Sequence, residues 1–137
     1  MKTHQYELID EKVFEHEFDN GLKLFIIPKP GFQKTYVTYT TQFGSLDNHF
    51  KPIGSQQFVK VPDGVAHFLE HKLFEKEDED LFTAFAEENA QANAFTSFDR
   101  TSYLFSATSN IESNIKRLLN MVAVSYTHLT LPTNREV

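Results

Sequence analysis

The chain has 137 residues, the length of one domain at most, and 40% of them are apolar, enough for a packed core. Its net charge is -6 with no basic stripe, which argues against nucleic acid as the main partner. The absence of cysteine removes any disulfide framework or thiol nucleophile and fits a reducing compartment.

The N-terminal stretch MKTHQYELIDEKVFEHEF is polar and lacks the apolar run of a signal peptide. No stretch is long and apolar enough to span a membrane, so no membrane partner and a cytoplasmic location are expected. KVFEHEFDNGLKLFIIPKPGF predicts a β-hairpin, because Asp19-Asn20-Gly21 supplies residues that accept the positive φ of a tight turn. Lys34 to Phe43 is rich in Thr, Tyr and Val and predicts a third strand, ended by Gly44. A long polar loop follows, SLDNHFKPIGSQQFVKVPDG; loops of this length are often functional.

Asp63 is a candidate N-cap for a helix that places Val65, Phe68, Leu69 and Leu73 on one apolar face. The acidic run EKEDED (75–80) breaks the period and reads as a solvated loop rather than a cation site. Asp80 caps a second helix, LFTAFAEENA, expected to bury Leu81, Phe82 and Phe85. Two strands follow, ANAFTSF and TSYLFSAT, joined at Asp99-Arg100. Ser109-Asn110-Ile111-Glu112 has a capping-box pattern and opens a helix with Ile111, Ile115, Leu118, Leu119 and Val122 on one side. The phenylalanines at 68, 74, 82, 85, 95, 98 and 105 read as core. The order β-β-β-α-α-β-β-α predicts an α+β domain, an antiparallel-rich sheet with helices on one face, with no repeat and no linker.

The last stretch, AVSYTHLTLPTNREV, loses the helical period and has no capping logic. Ala123 to Thr133 match one reading frame of a common transposase library adapter. The expected organisation is therefore a partial domain over 1–122 and a non-native tail over 123–137.

The densest chemistry lies in VAHFLEH, residues 65–71. Each helical residue advances about 100°, so His71 falls about 40° to one side of His67 and Glu70 about 60° to the other. Two imidazoles one turn apart can reach one metal ion, and zinc accepts neutral imidazole nitrogen in a tetrahedron of about four ligands. Glu70 stands beside such an ion without ligating it, placed to take a proton from a water that the metal has acidified. The plainer alternative is a helix with surface histidines and a solvated glutamate.

HFLEH is the inverted zincin signature H-x-x-E-H, and its surroundings resemble the pitrilysin, or insulinase, family of zinc metallopeptidases. The resemblance rests on four features in order, over about residues 14 to 122. These are the Asn20-Gly21-Leu22 hairpin, a strand ending in Gly44-Ser45, the run Gly64, Ala66, His67, Leu69, Glu70, His71 and Phe74, and Asn93-Ala94-Phe95-Thr96-Ser97 followed by Thr101-Ser102-Tyr103. The long loop and the acidic run are similar to a bacterial, processing-peptidase-like branch.

The resemblance implies that His67 and His71 are zinc ligands and Glu70 the general base. It implies a third ligand, a glutamate on a later helix. Asp99 and Glu112 fall in the wrong elements and Glu136 in the suspect tail, so that ligand is expected to be missing from this chain. It also implies that the strand from Asn93 to Thr96 is an edge to which a peptide substrate adds, with Asn93 and Ala94 beside the scissile bond, contacted also by Phe95 and Thr96. The activity implied is zinc-dependent endopeptidase cleavage of peptides or unfolded segments, in a clamshell completed by a homologous partner subunit or second half-domain. A non-catalytic assembly subunit of such a heterodimer is the alternative, and the intact H-x-x-E-H favours the enzyme. The chain alone is expected to be inactive and poorly soluble, with a sheet edge and apolar faces uncovered.

Overall fold

The computed structural model describes residues 1–52, 54–76 and 79–124. Glu77 and Asp78 of the acidic run, and the expected tail from residue 125 on with His128 and Glu136, lie outside the described residues. Met1–Gln33 forms one compact unit and the described residues from Lys34 onward form another.

The first unit is an antiparallel sheet in the order β1-β2-β3, built from β1 (Lys2–Tyr6), a 3-10 turn (Glu7–Ile9), β2 (Glu11–Glu17) and β3 (Lys23–Ile26). The predicted hairpin is β2–β3. Its turn works as the sequence requires: Gly21 takes φ +84°, the Phe18 amide donates to Leu22 O at 2.8 Å, and Asn20 Oδ1 accepts from the Leu22 amide at 3.1 Å. Strand β1 was not anticipated. All five of its residues are exposed, so KTHQY carries no alternating pattern to read.

The second unit contains β4 (Thr35–Thr41), the two-residue ladder β5 (His49–Phe50) and β6 (Val59–Lys60), α1 (Val65–Phe74), a second short ladder β7 (Glu75–Lys76) and β8 (Glu79–Asp80), α2 (Leu81–Glu87), β9 (Ala90–Thr96), β10 (Thr101–Ala107) and α3 (Ile111–Leu119), which runs into a π-helical turn (Asn120–Val124). Its main sheet is antiparallel in the order β4-β10-β9. The predicted third strand, β4, therefore pairs with β10 (Tyr39 opposite Tyr103, Val37 opposite Phe105) in a sheet separate from the hairpin. Tyr103, Phe105 and Ala107 alternate along β10 and form the floor of the core. Ala66, Leu69, Leu73 and Phe74 of α1, Leu81, Ala84 and Phe85 of α2, and Leu118, Met121 and Val122 close over it.

Three packing expectations need correction. Phe68 does not share the buried face of α1; it is 60% exposed, with the Lys72 ammonium 5.8 Å from its ring centroid, while Ala66 takes the inward place. Phe82 lies flat on Phe74 at 4.2 Å between centroids but keeps 44% of its surface in solvent. Of the phenylalanine run, 74, 85 and 105 are core, whereas 68, 82, 95 and 98 are exposed, because aromatic content reports apolar surface but not which side of an element it falls on. Asp80 caps α2 as expected, accepting from the Phe82 amide at 3.0 Å and the Thr83 hydroxyl at 3.1 Å. The capping box at 109–112 is not formed. The N-cap of α3 is Asn110, in left-handed geometry (φ 53°) and with no side-chain capping bond. Its carboxamide reaches back to Glu88 O at 3.5 Å, and the side chain of Asn114 bonds to Asn110 O at 3.0 Å.

Candidate metal centre

Helix α1 starts after Gly64, whose φ of +84° turns the chain into the first helical bond, from the Phe68 amide to Gly64 O at 2.9 Å. Asp63 accepts from the Asn48 carboxamide at 2.7 Å, tying the long loop to the helix start. The apolar residues of α1 turn Ala66, Leu69 and Leu73 into the core. The helical period then carries His67 and His71 to the exposed side and Glu70 to its border with the core.

His67 and His71 are exposed, and their Nε2 atoms lie 3.0 Å apart with ring centroids at 4.8 Å. One ring nitrogen must donate if the pair is hydrogen-bonded. The same separation suits two lone pairs converging on one ion at about 2.0–2.1 Å from each nitrogen. Glu70 completes the group, and the candidate ligand atoms of His67, Glu70 and His71 all lie within 4.8 Å of one another. This imidazole–carboxylate set fits a first-row divalent ion such as zinc. Glu70 is partly buried, and its Oε2 accepts from the Thr96 hydroxyl at 2.5 Å.

Thr96 ends β9, whose only neighbour in its sheet among the described residues is β10. Backbone amides alternate in direction along a strand. The Ser97 amide points at β10, bonding to Arg100 O at 2.8 Å, so the amides of Ala94 and Thr96 point to the free edge. The Asn93 side chain uses that geometry: its Oδ1 accepts from the Ala94 amide at 2.8 Å, occupying a donor that an added strand would need. Ala94 and Thr96 turn toward the core side of the sheet, whereas Asn93 and Phe95, the latter 50% exposed, turn away. The four expected substrate residues thus divide. All lie on a free edge beside α1, but the Thr96 hydroxyl is engaged by Glu70.

A buttress at the β9–β10 turn was not foreseen. The amides of Ser45 and Leu46 donate to Ser97 O at 2.9 Å and Phe98 O at 3.1 Å, tying the turn of the β9–β10 hairpin to the chain that leaves β4. Gly44 is required there, since a Cβ would lie 2.4 Å from Phe98 O and 2.5 Å from the amides of Asp99 and Arg100. The Thr101 hydroxyl adds a bond to Phe43 O at 2.7 Å. The sequence signal was present in Gly44-Ser45, but its partner lay some fifty residues away.

Neither acid considered as a further ligand joins the cluster among the described residues. Asp99 pairs with Arg100 at 3.2 Å and Glu112 with Lys116 at 2.7 Å. No helix among the described residues is long and apolar enough to cross a membrane.

Residues 52–134 match the family model described as Insulinase (Peptidase family M16). The chain is 52% identical over 126 residues to the Bacillus subtilis (strain 168) zinc protease YmfH, whose name calls it uncharacterized, covering 92% of this chain and 29% of that protein. A crystal structure described as an M16-like peptidase from Alicyclobacillus acidocaldarius superposes with a TM-score of 0.74 at 39% identity, over 82% of this chain and 26% of the other. A protease from Helicobacter pylori shares the fold at 24% identity and a TM-score of 0.58, over 82% of this chain and 25% of the other. The chain spans less than a third of each of these relatives.

Proposed function

The chain belongs to the insulinase family of peptidases, family M16, and from that premise we propose that it carries the ligand pair and general base of a zinc-dependent endopeptidase acting on peptides or unfolded segments. The observation that carries this reading is the His67–His71 nitrogen pair, 3.0 Å apart, with Glu70 beside it.

His67 and His71 would hold the ion. When bound, zinc supplies acidification of a water molecule and polarisation of the substrate carbonyl. Glu70 accepts the proton that the attacking water loses as its oxygen bonds to the carbonyl carbon. Glu70 then returns a proton to the amine nitrogen as the peptide C–N bond breaks, which regenerates the carboxylate. The free edge of β9 binds the substrate as an added strand. The outward amides of Ala94 and Thr96 recognise backbone, and Asn93 releases the Ala94 amide as the peptide arrives. Phe95 offers an exposed ring beside the same path.

Two imidazoles alone would hold zinc weakly, so the complete site takes a further ligand from beyond the described residues. The chamber is completed by a second half-domain or a homologous partner subunit.

The test is Glu70→Gln in a protein of its relatives' full length that carries this sequence. Zinc content should be retained while peptide cleavage falls by a factor of about 10² or more. Unchanged turnover would remove Glu70 from the mechanism. Zinc binding without cleavage in the unmutated full-length protein would favour the non-catalytic subunit instead.

A further inference from the structure

Glu70 lies close enough to both histidines to serve as a third ligand, yet its carboxylate is held from the other side by the Thr96 hydroxyl. Resting on the zinc-site reading above, we propose that Thr96 is a positioning residue that decides which task Glu70 performs. Its hydroxyl keeps the carboxylate standing beside the ion as a proton acceptor and prevents it from closing onto the ion as a ligand.

The geometry is suited to this. Glu70, three residues after His67 and next to His71, has a carboxylate oxygen within 4.8 Å of both histidines' ligand nitrogens, and in a site with few protein ligands an anionic oxygen is a strong competitor for an open position. A carboxylate that ligates the ion no longer takes the water's proton, so the reaction needs it restrained. Thr96 is a fixed post. It ends β9 in register with Thr101, and the next residues are locked by the Ser45 and Leu46 amides and by the absence of a side chain at Gly44. The sheet period turns it toward α1 together with Ala94. The hydroxyl donates to Oε2, removing one of the two oxygens from competition for the ion.

Cobalt(II) titrated into a protein of its relatives' full length that carries this sequence, followed by its visible absorption, separates the two tasks. Thr96→Val removes the donor at nearly constant volume. Its expected result is cobalt binding about tenfold tighter than in the unmutated protein, with an altered spectrum as the freed carboxylate joins the ion. Thr96→Ser keeps the donor and should match the unmutated protein. Glu70→Gln added to Thr96→Val should abolish the gain. A variant lacking the hydroxyl that binds cobalt no more tightly, or a gain that survives Glu70→Gln, overturns the proposal. Thr96→Ala carries the same expectation as the valine variant, and loss of the folded circular dichroism spectrum in both would assign the hydroxyl to the hairpin and also overturn it. An unmutated full-length protein that takes up no cobalt refutes the zinc-site reading itself, whereas uptake that is indifferent to position 96 refutes only the positioning role.

Discussion

Gly44 shows how much one missing side chain can carry. With backbone atoms of residues 98 to 100 within 2.5 Å of any Cβ, Gly44→Ala must push the β9–β10 hairpin away from the loop. We expect a loss of about 2 kcal/mol or more in denaturant unfolding, and faster amide exchange at Ser45 and Leu46. His67→Ala tests a different residue: it leaves one imidazole and should weaken cobalt binding at least tenfold without altering the fold, since His67 is exposed. In the first unit, the hydrogen bond from His4 holds the Glu15 carboxyl below its ordinary range. A depressed folded value contributes stability that is present above the unfolded value and lost as pH falls through the folded one. Acidification through that range should loosen β1 from β2, seen as faster exchange at the His4 and Tyr6 amides, which face β2 in this register, and Glu15→Gln should abolish the pH dependence. The histidine–glutamate trio was legible in the sequence because helical spacing alone places 67, 70 and 71 on one side. The Thr96 contact was not, because it joins a helix to a strand through a fold the spacing does not encode.

At the scale of elements, burial ranks the substitutions. Leu73→Ala and Phe85→Ala remove side chains that are 3% and 0% exposed and should each cost about 2–5 kcal/mol. Phe82→Ala, on a ring 44% exposed, should cost clearly less, which a urea-unfolding series would show. The α2–α3 contact depends on Glu88, which accepts from Arg117 at 2.7 Å and also from the Ser113 hydroxyl, while the Arg117 guanidinium covers the Phe85 ring. Helices α1, α2 and α3 and the β2–β3 and β9–β10 hairpins were readable from period and turn chemistry. Which phenylalanines point inward was not, since a residue beside the buried stripe differs from one within it by a single step of about 100°. The cap of α3 also departed from its pattern: a left-handed Asn110 took the place that Ser109 was expected to fill.

At the scale of the molecule, the strand expected over Lys34 to Phe43 pairs with β10 across a long stretch of chain. Local alternation marks a strand but not its partner, so the division after Gln33 was not visible either. Neither histidine belongs to the core, which is closed by Phe43, Tyr103, Phe105, Leu118 and their neighbours. A chelator should therefore leave the circular dichroism spectrum intact and move the unfolding midpoint only slightly, unlike a zinc finger, whose fold is its metal complex. On the zinc-site reading, folding and loading would be separate events in the life of the protein. A site that is formed before any ion arrives has only the spacing and chemistry of its ligands with which to choose among ions. On the zinc-site reading, the choice among zinc, manganese and cobalt would rest on those ligands and on the ion the cell supplies, and a wrong ion could later be exchanged without taking the protein apart.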